Sequence, residues 1–148
     1  MNLLNGKDKI KLEVVIEKEK NHFWGRIEDK GFMPTGQGKT IDKLLKNILD
    51  SVQDYVEHEG RKDKFWNKIN PTNVEFLIRY DLQAFFEEFE ELKISSISKM
   101  TKLNKSLVRR YASGNKFPSL EQAKKIEIAL HDLGQRLNNV ALFGNAYH

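Results

Sequence analysis

Apolar and polar residues alternate with a period of two in the first part of the chain. Between Lys9 and Glu17 every second residue is a branched aliphatic, and the residues between are mostly charged. This pattern is typical of a strand that buries one face. Further runs of β-forming residues follow, and the polar residues 18–21 favour a hairpin turn after the first run. Four strands are predicted, over residues 9–17, 22–28, 32–35 and 74–80.

The period changes after Gly36-Gln37-Gly38, which we interpret as a turn. From Ile41 to Glu59 apolar residues recur at steps of three and four, as on the buried face of an amphipathic helix. Thr40 is a suitable N-cap for this helix. The predicted order of elements is βββαβ, so we expect residues 1–80 to form a small α+β domain.

The second half of the chain is predicted to be almost entirely helical. Asp81 and Ser119 are suitable N-caps, and Gly114 is a natural C-terminal stop. Residues 139–143 fit either a final strand or a continued helix, and we favour the strand. We therefore expect an all-α domain over residues 81–148. Its predicted helices cover residues 82–92, 95 or 96 to 100, 104–114, and the segment from 119 onward.

The absence of cysteine and of long apolar runs limits the class of protein. Without cysteine in 148 residues, disulfides and thiolate sites are excluded. No apolar run approaches the roughly 20 residues of a membrane-spanning helix, and residues 1–6 do not resemble a secretory signal. We expect a cytoplasmic protein.

Charge is distributed unevenly between neighbouring segments. Residues 81–92 carry five acids and no base. Residues 93–125 carry nine bases and one acid, a local net charge of +8 in a chain whose overall charge is +4. Such a run fits a nucleic-acid-binding surface and fits a solvated helix face equally well. A motif is needed to separate the two interpretations.

Motifs for enzyme or metal chemistry are weak. Gly38-Lys39-Thr40 lacks the glycine that a phosphate-binding loop requires five residues earlier, since that position is Met33. The four histidines are scattered singly, and no serine lies in a nucleophile elbow. We therefore expect no catalytic residue, no metal and no cofactor. The enzymatic alternative is a ribonuclease H-like nuclease, whose candidate metal ligands on the first strands are Glu13, Glu17 and Glu28.

The segment from Ile97 to Gly114 carries the most specific pattern. It predicts a short helix, a turn and a second helix whose buried positions, Val108 and Tyr111, leave basic side chains outward. This arrangement resembles the Cro/repressor-like helix-turn-helix, in which the second helix enters the major groove of DNA. The resemblance implies base contacts from Lys105, Ser106, Arg109 and Arg110, phosphate contacts from Ser95, Ser96, Asn115 and Lys116, and further contacts from Asn104 and Leu107 at the start of the second helix.

Two residues depart from the pattern of that family. Lys102 stands where the turn commonly has glycine, at some conformational cost. Thr101 stands where a buried leucine is usual, and we expect Met100 to supply the apolar contact instead. A helical bundle without a ligand is the structural alternative, but the positively charged segment coincides with the motif and favours DNA binding.

A wider resemblance is to the HicB family of antitoxins and its DNA-binding relatives. Residues 31–56, with Gly31-Phe32 and the segment from Thr35 to Thr40 ahead of the apolar helix, carry the N-terminal likeness, and residues 111–134 carry the C-terminal one. The resemblance implies a partial ribonuclease H-like N-terminal domain that masks a small mRNA-cleaving toxin of the HicA type. It also implies a C-terminal domain that represses the operon.

The function expected from the sequence is sequence-specific repression by a regulator that is not an enzyme, as the antitoxin of a toxin–antitoxin pair. Because one helix-turn-helix presents a small surface, we expect at least a homodimer. A stand-alone regulator, whose N-terminal domain binds a small molecule or itself, is the second interpretation.

Overall fold

The computed structural model describes residues 9–28 and 30–145, and within them the chain is a mixed α+β protein with a four-stranded mixed sheet and five α-helices. Contacts divide the chain into two compact units, Met1–Glu88 and Phe89–His148. The first unit contains β1 (Ile10–Glu19), β2 (His22–Arg26), β3 (Thr35–Gly38), α1 (Ile41–Glu57), a 3₁₀ turn (Trp66–Lys68), β4 (Val74–Tyr80) and α2 (Leu82–Glu88). The second contains α3 (Ile94–Thr101), α4 (Lys105–Ala112) and α5 (Leu120–Asn138).

The sheet has the order β3-β2-β1-β4. The strands β1, β2 and β3 pair antiparallel in sequence, and β4 returns to pair parallel with β1. The return is possible because α1 and the following connection cross one face of the sheet, as a parallel pair requires. The predicted order βββαβ is confirmed for these elements.

The core of the first unit lies between β1 and α1. Leu12, Val14 and Ile16 form the buried face of β1, as their period of two predicts. Leu44 and Ile48 on α1 are equally buried, and the Thr40 hydroxyl caps that helix by accepting the Lys43 amide at 3.2 Å. Local periodicity and capping therefore predicted this layer correctly, except that α1 ends at Glu57 instead of Glu59.

The prediction of a strand at residues 32–35 followed by a glycine turn is wrong. The strand β3 is the segment Thr35–Gly38 itself, and Gly36 pairs with Gly25 of β2. Glycines weaken a strand when it stands alone. Here they let the backbone of α1 approach the sheet, because a Cβ atom on Gly38 would lie 2.7 Å from the amide nitrogen of Leu44.

Polar side chains hold the connection between α1 and β4, and Asp63 makes several of these hydrogen bonds. The Asp63 carboxylate accepts the backbone amides of Phe65 and Trp66 at 3.0 Å, and it accepts the Tyr55 hydroxyl at 3.0 Å. Trp66 is fully buried, and its indole N–H donates to the Lys30 carbonyl at 3.2 Å. This polar segment is therefore an ordered part of the first unit.

The helix α2 packs on β1 and β4, so it belongs to the first unit. The Asp81 carboxylate caps it by accepting the Ala84 amide at 2.7 Å. The predicted extension of this helix to Leu92 is wrong, because α2 ends at Glu88. The division predicted after residue 80 would separate α2 from the strands that it covers, whereas the compact units divide after Glu88.

The second unit has a small core between three helices. Ile97 of α3, Val108 and Tyr111 of α4, and Ile126 of α5 are all nearly inaccessible. The predicted strand at residues 139–143 is wrong, because α5 ends at Asn138 and residues 140–145 form neither strand nor helix. No helix within residues 9–28 and 30–145 combines the length and the apolarity that crossing a membrane would require.

Candidate nucleic-acid interface

The turn between α3 and α4 is built around Lys102 in the left-handed conformation, with φ 61° and ψ 15°. Two side chains of α3 support this geometry. The Ser98 hydroxyl donates to the Leu103 carbonyl at 2.5 Å, and the Thr101 hydroxyl donates to the Ile97 carbonyl at 2.7 Å while accepting the Leu103 amide at 3.3 Å. The conformational cost expected at Lys102 is therefore present, and side-chain hydrogen bonds compensate for it.

Thr101 occupies the buried position itself. Its side chain is nearly inaccessible, whereas Met100 is only half-buried. The expectation that Met100 replaces the missing leucine is therefore not what the structure shows. A threonine is tolerated at this position because both hydrogen-bonding functions of its hydroxyl are satisfied within the turn.

Asn104 begins α4 as its N-cap. Its side-chain oxygen accepts the Ser106 amide at 2.8 Å, with the extended backbone that an N-cap residue adopts. The helix start predicted at Asn104 is confirmed. The cap uses the side-chain oxygen of Asn104, so its Nδ2 amide group is left to donate to a ligand.

The solvent face of α4 is entirely polar. Lys105, Ser106, Arg109 and Arg110 are exposed. Val108 lies on the opposite side and is fully buried, as expected because successive residues are rotated by about 100° around a helix axis. Among the described residues no carboxylate forms a salt bridge with these cations. The face therefore presents hydrogen-bond donors and positive charge that are available to a ligand.

Leu107 lies at the edge of this face. Its side chain is half-buried, so it covers part of the core and leaves part of its surface accessible. A residue in this position can contact a ligand only through apolar atoms, which suits a thymine methyl group more than a phosphate.

A tight turn ends α4 and positions the next two candidates. Gly114 has φ 78°, and the Asn115 amide donates to the Arg110 carbonyl at 3.0 Å. Asn115 and Lys116 follow this turn with exposed side chains. The Tyr111 hydroxyl hydrogen-bonds to the Gln122 side-chain oxygen, which ties α4 to the first turn of α5. The two loop residues are therefore held beside the polar face of α4.

Ser95 and Ser96 lie in the first turn of α3 instead of capping it. The N-cap is Lys93, and α3 begins at Ile94, so the predicted start at one of the serines is wrong by one or two residues. Both serines are exposed. Hydroxyls and amide N–H groups in the first turn of a helix are suitable donors for an anion.

The carboxylates considered for a nuclease are occupied by arginines. Glu13 lies 2.9 Å from Arg79, and Glu17 and Glu28 lie 3.2 Å and 2.7 Å from Arg26. The interactions with Glu28, whose hydrogen bond has the largest effect, and with Glu17 raise the pKa of Arg26. Within the residues that the structure describes, no group of three or more His, Asp or Glu side chains is arranged to hold a metal ion.

Within residues 9–28 and 30–88, one face of the sheet is left open, which sequence analysis missed. On the face opposite α1, Trp24 is 42% exposed and Leu77 is 59% exposed. The register places Trp24 beside Glu17 and Leu77 beside Glu13, so each apolar side chain has a carboxylate as its cross-strand neighbour. The sequence does carry a signal for this face: Trp24 in β2 and Leu77 in β4 are apolar residues at positions that alternate with the buried ones.

No protein-family model matches this chain, and neither a curated protein nor a solved structure is significantly similar to it. The chemistry of these two surfaces therefore follows from their own residues: a cationic helix face in the second unit and an open, mixed apolar and charged sheet face in the first.

Proposed function

We propose that this chain is a sequence-specific DNA-binding repressor, in which α3, the turn at Lys102 and α4 act as a Cro/repressor-like helix-turn-helix. The observation that carries the proposal is the exposed face of α4, which has two arginines, a lysine and a serine and forms no salt bridge with a carboxylate of the described residues. A helix of this diameter fits the major groove, where base edges are accessible.

In the proposed mechanism, side chains of α4 contact bases, and residues outside α4 contact phosphates. Arg109 and Arg110 donate to guanine, whose O6 and N7 accept the two N–H groups of a guanidinium. Lys105 and Ser106 contact bases at the start of the helix. Phosphate oxygens are bound by Ser95, Ser96, Asn115 and Lys116, which set the register of the protein on the duplex.

We also propose that the first unit, as a partial ribonuclease H-like domain, binds a protein partner, and that the chain is the antitoxin for a small HicA-like toxin. The open sheet face supports this proposal, because Trp24 is exposed there and tryptophan is enriched among the residues that contribute most to protein–protein binding. In this proposal the chain acts in the cytoplasm as a regulator, not as an enzyme.

DNA binding is tested with duplexes selected by the full chain from a random pool and measured by fluorescence anisotropy. Arg109→Ala or Arg110→Ala should each cost about 1–3 kcal/mol on the selected duplex and relax preference at one base position. Arg61→Ala, an exposed arginine of the first unit, is the matched control and should bind as the parent does.

Lys116→Ala separates phosphate contacts from base contacts. It should weaken selected and scrambled duplexes alike and reduce the slope of affinity against salt by about one unit. If the arginine variants bind both duplexes as the parent does, α4 does not contact bases and the repressor proposal fails.

Partner binding is tested by co-expression with the product of the adjacent gene. Trp24→Ala should abolish copurification while DNA affinity is unchanged. Met33→Ala, an exposed apolar residue outside the strands, should copurify normally. Loss of copurification in both variants, or in neither, would count against the open sheet face as the partner surface.

A further inference from the structure

Two lysines from separate segments of the first unit approach the same aromatic ring. The Nζ atom of Lys30, in the connection between β2 and β3, lies 5.3 Å from the centroid of the Phe65 ring. The Nζ atom of Lys68, at the end of the 3₁₀ turn, lies 6.0 Å from the same centroid. An ammonium group at this distance is attracted by the ring, so two positive charges are gathered around Phe65.

Positive charge is concentrated in this part of the first unit. Residues 1–88 carry 15 bases and 16 acids, whereas residues 61–68 carry four bases and one acid. That acid is Asp63, whose carboxylate already accepts three hydrogen bonds within the connection. Among the described residues no salt bridge reaches Lys30 or Lys68. Their like charges repel each other, and an anionic ligand would relieve that repulsion.

Hydrogen bonds fix the backbone that carries these three residues. The Lys30 carbonyl accepts the Trp66 indole N–H at 3.2 Å, and the Lys68 carbonyl accepts the Asn73 side-chain amide at 2.6 Å. The Phe65 ring packs edge to face against Trp66, with the ring centroids 5.0 Å apart. The two lysines and the ring are therefore held together before any ligand binds, which reduces the entropy lost on binding.

A single strand of nucleic acid matches both the ring and the charges. Its unpaired bases can stack on an aromatic side chain while its phosphates attract lysines. A duplex keeps its base faces stacked inside, so it could use only the charges. Phe65 is half-buried, which leaves part of its ring accessible, and both lysines are exposed. An acidic protein segment would likewise use the charges and leave the ring without a role.

We propose that Lys30, Phe65 and Lys68 form a second nucleic-acid site, which binds a single strand. A base stacks on the Phe65 ring, and the two ammonium groups bind phosphates of the same strand. The evidence lies in the first unit alone, so the site does not depend on duplex recognition by α4. RNA and single-stranded DNA share this chemistry, and the experiment separates them.

The experiment is fluorescence anisotropy of the full chain with labelled oligouridine and oligothymidine of about 12 nucleotides, within the usual site sizes of single-strand-binding domains. The parent should bind, and tighter binding of oligouridine would identify RNA as the ligand. Phe65→Leu keeps an apolar side chain but removes the ring. It should weaken binding at least about fivefold, because stacking on an aromatic side chain contributes at least that factor per base.

The phosphate contacts are tested with variants of exposed side chains, on which folding does not depend. Lys30→Gln and Lys68→Gln should each reduce the slope of log affinity against log salt by about 0.7, the value for one phosphate on a single strand. Lys46→Gln, an exposed lysine of α1, is the matched control and should leave the slope unchanged. Equal slopes for Lys46→Gln and Lys68→Gln would overturn the inference.

Failure of this site and failure of the repressor are distinguishable. Phe65→Leu should bind the selected duplex as the parent does, and Arg109→Ala should bind oligouridine as the parent does. Single-strand binding that is lost in Arg109→Ala and kept in Phe65→Leu would overturn the inference and leave the proposed function standing. A parent that binds oligouridine no more tightly than labelled polyglutamate of equal charge would also overturn it.

Discussion

Gly36 of β3 lies directly against the backbone of Ile48 on α1: a Cβ atom on Gly36 would be 2.9 Å from the Ile48 amide nitrogen. The neighbouring contact is equally close, with the Leu44 carbonyl oxygen at 3.0 Å from the same position. Backbone atoms of a helix cannot move aside as a side chain can. The distance between α1 and the edge of the sheet is therefore limited by Gly36 together with Gly38.

Gly36→Ala should destabilise the first unit by about 1–3 kcal/mol, the usual cost of overpacking a filled core. Gly25→Ala is the matched control in the adjacent strand. Its added methyl would meet the Leu44 Cδ2 atom at 2.6 Å, the end of a flexible side chain, so its cost should be smaller. Urea unfolding measures both, and an equal cost for the two variants would show that backbone contact is not the deciding factor.

Lys102→Gly should stabilise the second unit by about 0.5–1 kcal/mol. The left-handed conformation costs a residue with a Cβ atom roughly 1–2 kcal/mol, and glycine avoids this cost. Part of the stability gained is lost, because glycine has greater conformational freedom in the unfolded chain. Lys102→Ala removes the same charge but keeps the Cβ atom, so it should give no gain. Thermal unfolding compares the three chains, and a gain in the alanine variant would assign the effect to charge.

A fragment of residues 1–88 should be more stable than one of residues 1–80. The longer fragment keeps α2, whose Ala84 and Phe85 are buried, and burying a phenylalanine contributes about 1.5–3 kcal/mol. A fragment that ends at residue 93 should be little more stable than the one that ends at residue 88. Equal urea midpoints for the fragments ending at 80 and 88 would contradict the packing of α2 on the sheet.

Two aspartates should affect stability with opposite dependence on pH. The amide of Trp66, followed by the Tyr55 hydroxyl and the Phe65 amide, lowers the pKa of Asp63 below its ordinary 3.8. The stability that these bonds contribute is present above that ordinary value and is lost as pH falls through the lowered pKa. Asp63→Asn should therefore destabilise more at neutral pH than in acid.

The stability that Asp81 contributes should depend on pH in the opposite direction. Burial raises its pKa above the ordinary 3.8, even though the Ala84 amide favours the charged form. The folded chain then binds this proton more tightly than the unfolded chain, so stability is lost as pH rises from 3.8 through the raised pKa. Asp81→Asn keeps a capping oxygen, and relative to the parent it should become more favourable as pH rises from 3.8 through the raised pKa of Asp81. Urea unfolding across this range measures the stability of both variants. If the stability of Asp63→Asn and of Asp81→Asn relative to the parent changed with pH in the same direction, the opposite pKa shifts of the two aspartates would be contradicted.

What the sequence by itself determined is local. Three kinds of pattern involve only residues close together in the chain. They are the period of two in β1, the steps of three and four in α1, and the caps at Thr40, Asn104 and Ser119. Such patterns express conformational preference and one-sided burial, and both can be recognised without knowing the partner surface. The polar face of α4 was predictable for the same reason.

Only the tertiary structure decided which surfaces each element meets. The segment Gly36-Gln37-Gly38 has the local preference of a turn, but it becomes a strand because β2 supplies hydrogen bonds and α1 needs its small residues. Residues 139–143 have the composition of a strand, but among the described residues no strand pairs with them. The placement of α2 and the open face beside Trp24 likewise depend on contacts between residues distant in the chain, where local preference carries no information.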